Sequence, residues 1–308
     1  MTEDAYYENV AQAIGEVLYF RLNEPILVAK FEEFMEPKPI QLASSDEDRK
    51  ALNHSLQELS EALGSVPNTT ISLSGDSNHT KYDEYGIATL DEIVNYFTRC
   101  RTAVVRAHLS LIAKHAVDEH PEFIKIESQK VAPLRELMKD LFWEEAEVAY
   151  IRLASYCDRV GQLLDFMYFN VRQFDREGFA SIIDKIHGNF YQIYPELRLC
   201  DAYKRLRSFQ QSEQTDGLKW LVRRRNLLVH SLRLRKLHDD DSNIIFKFAF
   251  NHLEERYQHK LQPEDAADEN KIMHLHLAKC AQLLPDVIEL SKLALTLELH
   301  ALAHKKRI

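Results

Sequence analysis

The sequence predicts an all-α protein. Glycine and proline are scarce, with 8 and 9 among 308 residues, whereas helix-favouring Leu, Ala, Glu and Lys are abundant. Apolar residues recur along much of the chain at the 3.6-residue spacing of amphipathic helices. No period of 20 to 50 residues repeats, which argues against a solenoid. We therefore expect a helical bundle in the C-terminal half and an additional, mostly helical N-terminal region.

Three helices are predicted in the first half, at 4–22, 46–63 and 90–117. The second of these begins with an acidic turn and is ended by Gly64. Prolines interrupt the segment 25–43. Ser, Asn, Thr, Asp and Gly predominate at 65–86, which predicts a loop there, with room for a short strand at 70–73.

Four helices are predicted in the second half, at 143–171, 179–191, 196–210 and 216–236, followed by one or two closing helices at 264–306. Pro133 precedes the first of them, and Pro285 predicts a kink or a helix start within the last. Residues 243–250 form an apolar segment that is either a short strand or irregular. We place a domain boundary near residue 135, which gives regions 1–135 and 136–308. The alternative is a single core that both halves share.

Composition indicates a cytoplasmic protein without a cofactor or structural metal. The four cysteines are far apart and form no CxxC pair, which is typical of buried thiols in a reducing compartment. The acidic N-terminus lacks the pattern of a signal peptide, and no apolar run reaches the length of a membrane span. His274 and His276 are two residues apart and so lie on different helix faces, which disfavours a metal site.

The helix at 216–236 carries the most informative residues of the chain. Its apolar stripe is formed by Leu218, Leu221, Val222, Leu228, Val229 and Leu232. Arg225 falls within this stripe, where a cation is costly unless an anion meets it. Asn226 and His230 are spaced i and i+4, so their side chains can face one another. These three residues predict a site with a cation, an amide and a titratable imidazole.

Positive charge is concentrated around these residues. The chain carries a net charge of −9, but residues 202–236 contain ten lysines and arginines and two acids. An acidic protein with one basic segment can admit a phosphate backbone at one place. The alternative is a set of solvated helix faces. We expect the following basic residues near the site to contact RNA: Lys219, Arg223, Arg224, Arg233 and Arg235.

The segment from Arg225 to His230 resembles the Arg–polar–x3–His motif of the HEPN superfamily of all-helical ribonucleases. The segment 147–170, which contains Tyr156-Cys157-Asp158-Arg159, also resembles the first long helix of some stand-alone HEPN proteins. The resemblance covers roughly the C-terminal half. It implies that the C-terminal bundle is HEPN-like.

The resemblance implies an endoribonuclease that needs no metal. The ribose 2′-OH would attack the adjacent phosphate, leaving a 2′,3′-cyclic phosphate and a 5′-OH end. His230 would transfer protons, Arg225 would bind the scissile phosphate, and Asn226 would orient the imidazole or contact the phosphate. HEPN ribonucleases typically form the site between two subunits, which implies a homodimer. Family analogy also suggests a role in toxin–antitoxin or antiviral defence and control by a regulatory partner protein.

Alternatives remain open for the residues and for the protein. Arg225 could be a structural cation paired with Asp158 or Glu147, and Asp158 is expected to support Arg225 from the core. Arg223 and Arg224 are expected to face outward. The protein could instead be a non-catalytic HEPN module that binds a nucleotide or a protein. It could also be an all-helical scaffold in which the motif arose by accident.

Overall fold

The computed structural model describes residues 26, 40–43, 45–64, 84–119, 128–171, 178–230, 251–252, 254 and 265–299. Every extended regular element among them is a helix, which confirms the predicted all-α class. The helices are α1 (Asp46–Gly64), α2 (Glu84–Glu119), α3 (Ser128–Phe169), α4 (Phe179–Phe190), α5 (Pro195–Leu199), α6 (Asp201–Gln211), α7 (Leu218–His230) and α8 (Ala266–Thr296).

Side-chain caps and acidic first turns define the starts of α1 and α8. The backbone N–H of Asp48 donates to Ser45 Oγ at 3.0 Å, and that of Asp268 donates to Asp265 Oδ1 at 2.9 Å. Each bond satisfies an N–H that has no partner within its own helix. Acidic side chains in both first turns add a favourable interaction with the helix dipole.

Three long helices, α2, α3 and α8, build the core. The most extensive helix contact is between α2 and α3, and α8 packs against both. The fully buried side chains of Ile93, Tyr150 and Leu284 represent these three helices in one continuous hydrophobic cluster. The same cluster includes Leu59 from α1 and Leu206 from α6. The shorter helices α4 to α7 therefore sit on a framework of three long helices.

The helix α3 is longer than the sequence predicts. It contains 42 residues, begins at Ser128 rather than near residue 143, and includes Pro133 close to its start. Proline removes one N–H from a helix, and that loss is tolerated best near the helix start. The proposed domain boundary near residue 135 falls inside α3, and the continuous core contains side chains from both sides of it.

One predicted helix of the second half is divided in two. The segment 196–210 forms two helices, because Cys200 adopts an extended conformation with a ψ angle of 112° between α5 and α6. Of the segment 264–306, residues Ala266–Thr296 form α8 with Pro285 inside it, and residues 300–306 lie outside the described residues. The predicted helix at 4–22 and the segment 243–250 lie outside the described residues, as do residues 65–83 of the predicted loop. The last three residues of that loop, 84–86, already belong to α2.

Candidate functional site

The helix α7 carries the candidate site, and its start is fixed by a close approach to the preceding turn. Gly217 immediately precedes α7, and a Cβ atom there would lie 2.4 Å from the backbone oxygen of Ser212. Leu218 and Leu221 are buried in the core. A glycine at 217 and two buried leucines therefore hold the first turn of α7 in place.

Arg224, rather than Arg225, is the arginine of α7 that lies in the interior. Its side chain is 5% exposed and forms an ion pair with Glu269 of α8, which is fully buried. Tyr150 donates a hydrogen bond to the same carboxylate group. The Arg224 guanidinium also lies 5.5 Å from the ring centre of Trp220. The prediction that Arg224 faces outward is therefore wrong, because Glu269 gives it a buried partner.

Arg225 lies at the edge of the buried face and is partly exposed. Its Nε is enclosed and makes no hydrogen bond to the described residues. No carboxylate of the described residues lies within 4.0 Å of it, so the predicted ion pair with Asp158 or Glu147 is not formed. Asp158 is nevertheless the acid whose pKa the charge of Arg225 lowers. Arg225 thus has a carboxylate nearby and no direct ionic contact.

Asp158 links α3 to the start of α4. Burial raises the pKa of Asp158, whereas Arg225, the backbone N–H of Phe179 and Arg159 lower it. Phe179 is the first residue of α4, so the Asp158 carboxylate lies beside the start of that helix. A Cβ atom at Gly178 would lie 2.8 Å from Asp158 Oδ1. Asp158 therefore fixes the position of α4 as well as lying beside Arg225.

Asn226 and His230 share the last part of α7. Asn226 is exposed, and the backbone of α7 is helical as far as His230, which lies one turn further on. The side chain of His230 lies outside the described residues, as do Arg233 and Arg235.

Acidic side chains neutralise most of the basic segment. Lys219 and Arg223 share Glu213, at 3.1 and 3.6 Å. Three further cations pair with acids outside the segment 202–236, namely Lys204 with Asp201, Arg205 with Asp286, and Arg207 with Asp184. In the described part of this segment, Arg225 alone among the lysines and arginines has no carboxylate within 4.0 Å. The positive charges in the described part of the segment are therefore paired with acids, except at Arg225.

A polar pocket of about 450 Å³ lies between α2 and α3 and includes Asp158. Its other lining residues are Glu92, Ser155, Arg159 and Gln162. Arg159 Nε donates to Glu92 Oε1 at 3.1 Å, and its guanidinium lies 3.6 Å from the ring centre of Tyr96. No lining residue is apolar, so the pocket offers hydrogen-bond donors and acceptors.

Three histidines, His108 of α2 and His274 and His276 of α8, are buried in the core. His274 Nε2 lies 3.1 Å from His108 Nδ1, and His276 stacks on Trp220 with ring centres 5.3 Å apart. Burial and the neighbouring His108 lower the pKa of His274 to about 4. Burial lowers the pKa of His276 to about 4, although Thr215 and Asp216 favour its protonated form.

The buried polar side chains of α8 were missed by the sequence analysis. His274 and His276 do point in different directions, as predicted, yet both are buried because α8 is covered on more than one side. Glu269 is an acid in the first turn of α8, where an exposed acid is common. No local pattern in the sequence distinguishes it from its neighbour Asp268.

No family model, curated protein or solved structure matches this chain. Among the described residues, no group of three His, Cys, Asp or Glu side chains is arranged to hold a metal ion. The helices described also include none with the combined length and hydrophobicity that a membrane span requires.

Proposed function

We propose that this protein is a metal-independent endoribonuclease whose site is formed on α7 by Arg225, Asn226 and His230. The observation that carries the proposal is the partial burial of Arg225 together with its lack of a carboxylate partner. It is partly buried, has an enclosed Nε without a hydrogen bond, and lacks the carboxylate partner that the other described cations of its segment have. A guanidinium in this state retains its capacity to bind a phosphate.

The spacing of the polar residues supports the same proposal. The helical backbone of α7 sets Asn226 and His230 one turn apart, next to Arg225. Arg225 would stabilise the charge that develops on the scissile phosphate, and His230 would move protons to and from the reacting oxygens. The ribose 2′-OH supplies the nucleophile, so the reaction requires no activated water. The HEPN resemblance of these residues agrees with this chemistry.

The buried ion pair on the neighbouring residue adds rigidity to this arrangement. Arg224 holds α7 against Glu269 of α8, and Leu221 holds it in the core. A site on a rigid helix keeps its groups in a fixed geometry, which lowers the cost of orienting the substrate. The buried ion pair of Arg224 therefore supports a functional role for Arg225, because it fixes the helix on which Arg225 lies.

A binding-only module is the second candidate, and one observation favours it. The ion pairs of Lys204, Arg205, Arg207, Lys219 and Arg223 reduce the positive potential that would attract a long RNA. Such a protein would hold a nucleotide at Arg225 without cleaving RNA.

The test is incubation of the full chain with defined RNAs in the presence of EDTA, followed by mapping of the product ends. The proposal requires cleavage with 2′,3′-cyclic phosphate and 5′-OH ends, and loss of cleavage where the target nucleotide is 2′-deoxy. Cleavage that depends on added divalent ions would contradict the proposal and indicate a metal-dependent nuclease. RNA binding without cleavage would favour the binding module.

A further inference from the structure

We propose that the pocket formed by Glu92, Ser155, Asp158, Arg159 and Gln162 binds the guanine base of a nucleotide whose phosphate lies at Arg225. This inference rests on the proposed function, since it assigns the substrate preference of the same site. The pocket and Arg225 meet at Asp158, which lines the pocket and interacts electrostatically with Arg225.

The pocket is built on one polar stripe of α3. Ser155, Asp158, Arg159 and Gln162 are spaced i, i+3, i+4 and i+7, so they share one helix face. The intervening residues Tyr156, Cys157 and Val160 are buried in the core. All four polar residues are themselves partly buried, and so is Glu92 opposite them on α2. The stripe is therefore a set of partly buried polar groups at the edge of the core.

The pocket groups are held in fixed positions. Arg159 donates from Nε to Glu92 Oε1 and from Nη1 to the backbone oxygen of Ser155, each at 3.1 Å. The contact with the ring of Tyr96 adds a third restraint on the guanidinium. Asp158 lies against Gly178, where an added Cβ atom would be 2.8 Å from its Oδ1. Rigid polar groups lose little entropy on binding a ligand, which favours selective recognition.

The charge and hydrogen-bonding capacity of the pocket match guanine. Two carboxylates and one guanidinium give the lining a surplus of hydrogen-bond acceptors, and Arg99, outside the lining, lies 3.8 Å from Glu92 Oε1. Glu92 Oε1 accepts from Arg159, while its Oε2 receives no hydrogen bond from the described residues. Guanine presents two adjacent donors, N1–H and N2–H, which one carboxylate can accept together. Its O6 and N7 acceptors suit the guanidinium donors of Arg159.

Size and position are consistent with this occupant. A volume of about 450 Å³ accommodates a base with part of its ribose. The phosphate would then lie outside the acidic pocket, where Arg225 supplies a positive charge. Adenine and cytosine each present one amino group beside an acceptor nitrogen on the same edge, so a carboxylate would meet a lone pair there. Guanine is therefore favoured over both.

Calorimetric titration of the full chain with guanosine, guanosine 3′-monophosphate and adenosine 3′-monophosphate tests the assignment. The key variant is Glu92→Gln, which retains an acceptor for Arg159 and removes the carboxylate. Its matched control is Glu144→Gln, which removes an exposed carboxylate elsewhere on α3. We expect Glu92→Gln to weaken binding of both guanine compounds roughly tenfold or more, and Glu144→Gln to leave it unchanged. Arg225→Ala should weaken binding of the monophosphate more than that of guanosine.

The outcomes separate this inference from the proposed function. Equal affinity for the adenine and guanine compounds, equal effects of the two glutamine variants, or no binding of guanosine would each overturn it. RNA cleavage without preference for guanine at the cut would support the proposed ribonuclease activity and refute guanine binding in the pocket. Guanosine binding that depends on Glu92, without any RNA cleavage, would support the pocket and refute the ribonuclease. If Glu92→Gln does not fold by circular dichroism, Arg159→Lys, which keeps the charge and removes the forked donor set, replaces it, with the same expected loss of guanosine binding.

Discussion

Arg224 and Glu269 form an ion pair in the interior of the protein, with side chains 5% and 0% exposed. The pair joins α7, which carries the candidate site, to the first turn of α8. Tyr150 of α3 donates to the same carboxylate, so three helices meet at this group. The orientation of α7, and therefore the position of Arg225, depends on this contact.

Breaking this ion pair should cost much of the stability of the fold. Removal of one partner leaves the other as an unpaired buried charge, so Glu269→Ala and Arg224→Ala should each lower the free energy of unfolding by about 3–5 kcal/mol. Urea denaturation followed by circular dichroism measures this loss. Lys204→Ala is the control, because it removes an ion pair whose side chains are 54% and 72% exposed. That control should change stability by less than about 1 kcal/mol. Equal effects of Glu269→Ala and Lys204→Ala would contradict the interpretation.

Gly178 should not tolerate a methyl group. An added Cβ would lie 2.8 Å from Asp158 Oδ1 and would push the carboxylate away from the start of α4. Gly178→Ala should therefore destabilise the protein by about 1–3 kcal/mol. Gly188→Ala is the matched control within α4, since no atom lies within 4 Å of its added Cβ. The control should raise stability by up to about 1 kcal/mol, because alanine is a better helix former. Thermal melting of both variants tests this prediction, since the melting temperature should fall for Gly178→Ala and rise for Gly188→Ala.

Stability should fall as the pH drops from 7 towards 5. The pKa values of His274 and His276 are lowered from 6.5 to about 4, so the unfolded chain binds more protons in this range. The stabilisation is complete above pH 6.5 and is lost as the pH falls towards 4, by up to about 3 kcal/mol per histidine. The surrounding groups are His108 for His274, and Asp216 and Lys279 for His276.

Urea midpoints at pH 7, 6 and 5 measure this dependence. His276→Phe keeps a ring against Trp220 and removes one titrating group, so its stability should fall less steeply with pH. The exposed His54 provides a control, and His54→Ala should retain the wild-type slope. A slope unchanged by His276→Phe would mean that this histidine does not carry the pH dependence.

The helices were largely predictable from the sequence, because their apolar spacing is a local property. The predicted segments at 46–63, 90–117 and 179–191 match α1, α2 and α4 closely. The start of α3 was not predictable in this way, because Pro133 resembles a helix end, whereas here the helix continues through it.

The orientation of the three consecutive arginines in α7 could not be read from local sequence. Successive residues differ by about 100° around a helix, so one of the three must face the core more than its neighbours do. The apolar spacing predicts that Arg225 faces the core. In the structure Arg224 does so, because it pairs with the buried carboxylate of Glu269. That carboxylate is 45 residues away in the chain. The pairing of the basic residues in the described part of segment 202–236 is equally hidden from local sequence, since Asp286 and Asp184, which pair with Arg205 and Arg207, lie outside the segment.

The proposed site should be shared between two subunits. One motif supplies a single histidine, whereas cleavage is assisted by separate groups that accept and donate protons. An isologous dimer brings each α7 to face its copy. Light scattering should give twice the 36.0 kDa mass of the chain. Mixed Arg225→Ala and His230→Ala subunits should recover part of the activity if one intact site forms per mixed dimer. A monomer that cleaves RNA would contradict the shared site.

The most direct test of the central claim is the rate at which His230→Ala cleaves a defined RNA in EDTA under single-turnover conditions. Removal of the group that transfers protons should lower the rate by about a hundredfold or more. The control His54→Ala, which changes an exposed histidine of α1, should cleave at the wild-type rate. Circular dichroism should show the same helix content for both variants. Wild-type cleavage by folded His230→Ala protein would contradict the proposed site.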